Sequence, residues 1–201
     1  NEGDKTTISK IVFVGNKAFS DYKLRDVMST TEKTWLSWIK NTDVYDPDRV
    51  SADQEALRRF YLKNGYADFR IVSANADLDR SRGGFIITIT VDEGQQYRTG
   101  TVDLVSNVRD LDSATLRGFV RTASGDVYNA EMVEKSIENI TMELAKRGYA
   151  FAQVRPRGDR NFETHRINIV YTIEQGARVY IERINITGNT RTRDYVIRRE
   201  F

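Results

Sequence analysis

The feature that most constrains this chain is an internal repeat. LKNGYA at residues 62–67 returns as LAKRGYA at 144–150, with the two glycines 83 positions apart. VDEGQQY at 91–97 returns as IEQGARVY at 173–180, and IVFVGN at 11–16 returns as VDLVSN at 102–107 and again as INITGN at 184–189. Short signals kept in the same order at matched spacing indicate tandem modules, each a supersecondary unit of its own. The first copy is about nine residues longer, and the surplus falls in TEKTWLSWIKNTD at 31–43. We therefore expect three units: 1–94, 95–176 and a truncated start of a third at 177–201.

Each unit has the same local grammar. Ile11 and Phe13, Val102 and Leu104, and Ile184 and Ile186 alternate as a half-buried strand requires. A first helix follows, with Ser20 as its cap and Leu24, Val27 and Met28 as its apolar stripe; Leu116, Phe119 and Val120 repeat that stripe. Asp46-Pro47 opens a second helix carrying Leu57, Phe60 and Tyr61, and Asn129 opens its counterpart carrying Val133, Ile137, Ile140 and Leu144. Gly65 and Gly148 stop these helices in the left-handed conformation that glycine adopts without strain. Two strands close each unit, the last being Phe85, Ile87, Ile89 and Val91, or Ile167, Ile169, Tyr171 and Ile173. The expected fold is α+β: tandem β-α-α-β-β modules, each a three-stranded sheet covered on one face by two helices.

This ordered set resembles the POTRA family. Gly15-Asn16, the run Leu57-xxx-Tyr61-xxx-Gly65-Tyr66-Ala67-x-Phe69, Glu93-Gly94 to Tyr97, and Gly188-Asn189 to Glu200 are similar to the signals that punctuate the periplasmic arm of outer-membrane protein assembly factors. By motif order the match is to the third and fourth modules plus the start of the fifth; Ser106-Asn107 departs from the "GN" pattern. The resemblance implies the periplasmic portion of an outer-membrane protein, a scaffold of the β-barrel assembly machinery. Its implied partners are unfolded outer-membrane proteins, accessory assembly lipoproteins and a C-terminal β-barrel of the same full-length chain. The alternative within the family is the arm of a two-partner secretion pore or an organelle import channel.

Binding is expected at a sheet edge, where N–H and C=O groups are unpaired. The last strand of each unit is the most uniformly apolar and belongs in the centre, so the second strand lies at an edge. In the first unit Arg70, Ile71, Val72, Ser73, Ala74, Asn75 and Ala76 form a proline-free run suited to accepting an added strand. In the second, Pro156 and Gly158 guard the corresponding run. Trp35 and Trp38 in the surplus segment read either as a partner-docking patch or as a satellite core. Arg198 and Arg199 read as a further docking surface or a solvated helix face. Gly94, Tyr97, Gly176 and Tyr180 lie in the short links between units and are candidate hinge positions.

Composition narrows the remaining classes. There is no cysteine, which removes disulfides, thiolate metal sites and thiol nucleophiles. Thirty-one Lys+Arg against 29 Asp+Glu leave a net charge of +2, too little for a field that gathers nucleic acid or anionic lipid. No apolar run approaches the ~20 residues of a membrane-spanning helix. His165 has no second metal ligand near it in sequence, and the carboxylate pairs Asp77/Asp79 and Asp92/Glu93 fall at strand ends, where charge serves solubility and turns. With no nucleophile, metal-binding or phosphate-cradling motif, neither catalytic activity nor a cofactor is expected. The start at Asn1 and the unfinished pattern RTRDYVIRREF at 191–201 suggest a piece of a longer protein.

Overall fold

The computed structural model describes residues 7–33, 42–81 and 83–176. Trp35, Trp38, Tyr180, Arg198 and Arg199 lie outside the described residues. The first module runs β1 (Thr7–Val14), α1 (Asp21–Val27), α2 (Pro47–Lys63), β2 (Arg70–Asp79) and β3 (Gly84–Asp92). The second runs β4 (Arg98–Ser106), a 3-10 helix (Ser113–Phe119), α3 (Ala130–Lys146), β5 (Ala152–Asn161) and β6 (Arg166–Gln175). Each makes its own three-stranded sheet, in the orders β1-β3-β2 and β4-β6-β5. The first strand pairs parallel to the central one and the hairpin strand antiparallel to it.

The helices begin where side-chain chemistry tells them to. Ser20, Asp46 and Asn129 each accept from backbone N–H groups of the first turn, groups that have no partner inside the helix. Gly65 and Gly148 follow α2 and α3 at φ 92° and 90°, so the chain turns back at once toward the sheet. Each sheet buries one face under its helices. Ile8, Ile11, Leu24, Leu57, Tyr61, Ile87 and Ile89 are fully buried in the first core, and Leu116, Ile140, Leu144, Tyr171 and Ile173 in the second. Burying a side chain of that size stabilises by about 1.5–3 kcal/mol, before the ordering entropy that opposes it.

The second module departs from the expected pair of α-helices. Its first helix is a seven-residue 3-10 helix capped by Asp112, and only Leu116 within it is buried. Like α1 it buries a single leucine, but it carries Gly118 in its interior where α1 has no glycine, and glycine weakens a regular α-turn.

A repeated device ties the chain after the first helix to the second. Asp53 of α2 is buried and accepts from Ser29 N (2.6 Å) and Thr30 N (3.0 Å). Ser136 occupies the matching place in α3 and accepts from Arg121 N at 2.8 Å.

Candidate functional site

Open main-chain groups on the sheet edges are what these modules offer a partner. The edge of β1 is largely closed from within. Ile8 donates to Asp43 O (2.7 Å) and accepts from Lys33 N (2.8 Å). Ile11 N–H donates to Glu32 Oε1 (2.9 Å) while Arg25 Nη1 donates to Ile11 O (3.3 Å), and Arg25 and Glu32 form an ion pair. Residues of the surplus segment therefore seal the edge of their own module. No sequence signal marks this, because an edge is closed by whichever segment lies beside it in space.

The opposite edge is β2. Its register with β3 runs from Arg70–Asp92 to Asp79–Gly84, and no described segment pairs with its outer side. The register slips between Ile71 and Ser73, so Val72 is an extra residue that bulges the strand and stands 59% exposed. The slip changes which side chains face inward. Ile71 packs on the core, and beyond the bulge Ala74 and Ala76 take over, placing two small side chains along the helix-covered face of the edge. Arg70 is held by Asp92, donating to its carboxylate at 2.7 and 3.0 Å, and that contact holds the carboxyl below its ordinary range. The continuous outer run is thus Ser73 to Leu78, and the bulge separates it from Arg70 and Ile71.

The second module presents its hairpin strand differently. β5 pairs with β6 without interruption from Ala152 to Asn161, and Pro156 lies opposite Tyr171. A proline fits in an unbroken ladder only where its missing N–H would have faced outward. The ring therefore removes a donor from the open side.

Glu93 is a residue whose role sequence reasoning missed. Its place at a strand end reads as a solubility charge, yet it is only 7% exposed. Its carboxylate accepts from Lys17 N (2.9 Å), Ala18 N (3.0 Å) and the Tyr61 hydroxyl (2.8 Å). Tyr61 stacks on Phe69 at 4.0 Å, and burial, with the Glu93 carboxylate beside it, holds its phenol well above the ordinary range. Gly15 completes the arrangement at φ 91°, where a Cβ would run into the Val91 carbonyl. In the second module Ser106, Leu144, Ala152 and Gln175 stand in place of Gly15, Tyr61, Phe69 and Glu93. Substitution of the whole set together between the repeats was the signal available in the sequence.

The link between modules is clamped at Tyr97. Its ring is 1% exposed, its N–H donates to Gly65 O (2.8 Å) and its hydroxyl donates to Asp68 (2.6 Å), which also pairs with Arg160 of the second module (2.7 Å). The hydrogen bond to Asp68, more than burial, raises the phenol's pKa. His165 meets the same ring edge-on at 6.1 Å. Lys63 of α2 and Glu131 of α3 form a second bridge at 2.6 Å. Gly94 lies against Asp68 at φ 68°, and Gly176 lies against the Phe151 carbonyl. Among the described residues no three metal-ligating side chains cluster, and no helix is long and apolar enough to cross a membrane.

The profile of a family described as POTRA, surface antigen variable number repeat, matches residues 6–94 and 97–176. The chain belongs to the POTRA family. Over 200 residues it is 32% identical to the outer membrane protein assembly factor BamA of Neisseria meningitidis, a match covering 100% of this chain and 25% of that protein. It is 31% identical over 201 residues to BamA of Neorickettsia risticii, covering 99% of this chain and 27% of that one. The chain thus spans about a quarter of the length of these curated relatives. The crystal structure of Haemophilus influenzae BamA POTRA3-5 superposes with a TM-score of 0.72 at 24% identity, over 97% of this chain and 76% of that one. The two described POTRA modules share their α+β fold with it.

Proposed function

We propose that these POTRA modules are a periplasmic, non-catalytic arm of an outer-membrane protein that assembles β-barrels. In this reading the arm holds unfolded outer-membrane proteins by adding their strands to the outer edge of β2. It also docks accessory lipoproteins and leads into a C-terminal β-barrel of the same full-length chain. The observation that carries the reading is the open run Ser73–Leu78 on β2, in a module whose other edge is occupied at Ile8 and Ile11 by its own chain. An incoming strand gains main-chain hydrogen bonds from the edge and specificity from alternate side chains. The small Ala74 and Ala76 leave room on the helix-covered face for larger client side chains. The assembly role named for the relatives covering the whole chain supports the same reading. Trp35, Trp38, Arg198 and Arg199 remain the proposed docking positions for accessory subunits.

The test is binding of unfolded barrel precursors to variants with proline at Ala74 and, separately, at Asn75. Adjacent residues of a strand aim their N–H groups in opposite directions, so one of the two prolines blocks the outer edge while leaving the ladder to β3 intact. Loss of binding in a variant that keeps its fold is expected. Undiminished binding in both overturns the edge assignment, and selective binding of one dedicated secreted protein instead of barrel precursors overturns the assembly role.

A further inference from the structure

The first module contains a template for a ligand that the second lacks. Arg25 and Arg117 each follow the fully buried leucine of their module's first helix, Leu24 and Leu116. In the first module Arg25 pairs with Glu32, and together they occupy the outward C=O and N–H of Ile11. Ile11 corresponds to Val102 in the repeat.

The start of β4 is sealed as the start of β1 is. Thr99 N–H donates to Asp126 O (2.8 Å) and Gly125 N–H donates to Thr99 O (2.9 Å), matching the closure of Ile8 by Lys33 and Asp43. The likeness ends there, because the second unit has no counterpart of the surplus segment that supplies Glu32. Thr101 N–H turns toward β6, donating to Asn168 Oδ1 at 2.9 Å, so the next residue, Val102, turns its own main-chain groups outward. A groove of about 260 Å³ lies alongside, lined by Val102, Leu104, Arg117, Val120, Thr122 and Ser124, with exposed Asp103 at its rim. No carboxylate of the described residues pairs with Arg117.

We infer that the groove beside β4 binds an extended acidic peptide, whose carboxylate accepts from Val102 N–H and pairs with Arg117 as Glu32 does with Ile11 and Arg25. The chemistry is defined by the segment already seated in the sibling module: an extended main chain along the strand and one carboxylate at the guanidinium. The site is separate from the β2 edge and stands or falls independently of it.

The probe is a synthetic peptide with the sequence of residues 29–34, STTEKT, blocked at both ends and titrated into the 201-residue chain while backbone amide shifts are followed. Saturable shifts at Val102, Leu104 and Arg117 are expected. Replacing the peptide's glutamate by glutamine should weaken binding about tenfold, the scale of one charge-assisted hydrogen bond. Arg117→Glu should abolish binding of STTEKT and admit the peptide with lysine in place of glutamate. Arg117 is exposed, so these variants keep their fold. A version with a free C-terminal carboxylate and glutamine in the middle distinguishes a chain terminus from a side chain as the source of the charge. Shifts confined to β2, or equal binding of the glutamate and doubly blocked glutamine peptides, overturn the inference.

Discussion

Tyr61 donates its hydroxyl to the Glu93 carboxylate over 2.8 Å inside the first module. The corresponding pair in the second is Leu144, fully buried, and Gln175, exposed. One module thus satisfies a buried charge with a phenol and two backbone N–H groups, and the other replaces the phenol with leucine and the carboxylate with an uncharged, exposed glutamine.

Tyr61→Phe leaves the carboxylate with its two N–H donors and should cost about 1.5–3 kcal/mol, the worth of a hydrogen bond to a charged group. Tyr61→Leu combined with Glu93→Gln, which copies the second module, should cost at least about 1 kcal/mol less than the sum of the two single changes. Urea unfolding of the five proteins, wild type included, checks both statements, and strict additivity would show that the pair is not coupled.

Acid should loosen the bridge between α2 and α3. Hydrogen bonds from Lys135 and Lys63 lower the Glu131 pKa from 4.5 to about 2. A carboxyl depressed in the folded state contributes stability that is fully present above its unfolded pKa and is lost as pH falls through the folded one. The wild-type urea midpoint should therefore drop between pH 4.5 and 2 by more than that of Glu131→Gln, with the two converging at the acid end.

Pro156→Thr with Gly158→Val should give the second module a usable hairpin edge. The ladder of β5 to β6 is already continuous, so the changes restore a donor and stiffen the strand without altering register. Added binding of an extended client peptide, seen as new amide shifts along β5, is the expected outcome.

Tyr97→Phe removes the hydroxyl that joins the link to Asp68 and so to Arg160. A loss of about 1 kcal/mol at the junction is expected, with each module's own core unaffected. Residual dipolar couplings should show the two modules reorienting more widely, while exchange protection within β3 and β6 stays as it was.

Much of this architecture was legible because local chemistry writes it. The caps at Ser20, Asp46 and Asn129 and the left-handed glycines at 65 and 148 act within a few residues of themselves, so the string alone reveals them. The bulge at Val72 has no such signature. Ile71, Ala74 and Ala76 are all apolar, and only the pairing with β3 decides where the alternation changes phase. Glu93 was misread for a related reason: its partners Lys17, Ala18 and Tyr61 are 32–76 positions away, and burial of a charge depends on their convergence. The closure of the β1 edge is equally silent in the string, since Lys33 and Asp43 reach Ile8 from a segment whose pattern reads only as an insertion.

The closure at Ile8 and Ile11 also sets the valence of the first module. A sheet with both borders free is bifunctional and propagates, strand upon strand, into a fibre. With β1 blocked along Ile8 and Ile11, this sheet is a chain terminator: two copies meeting through β2 would saturate one another and growth would stop at the pair.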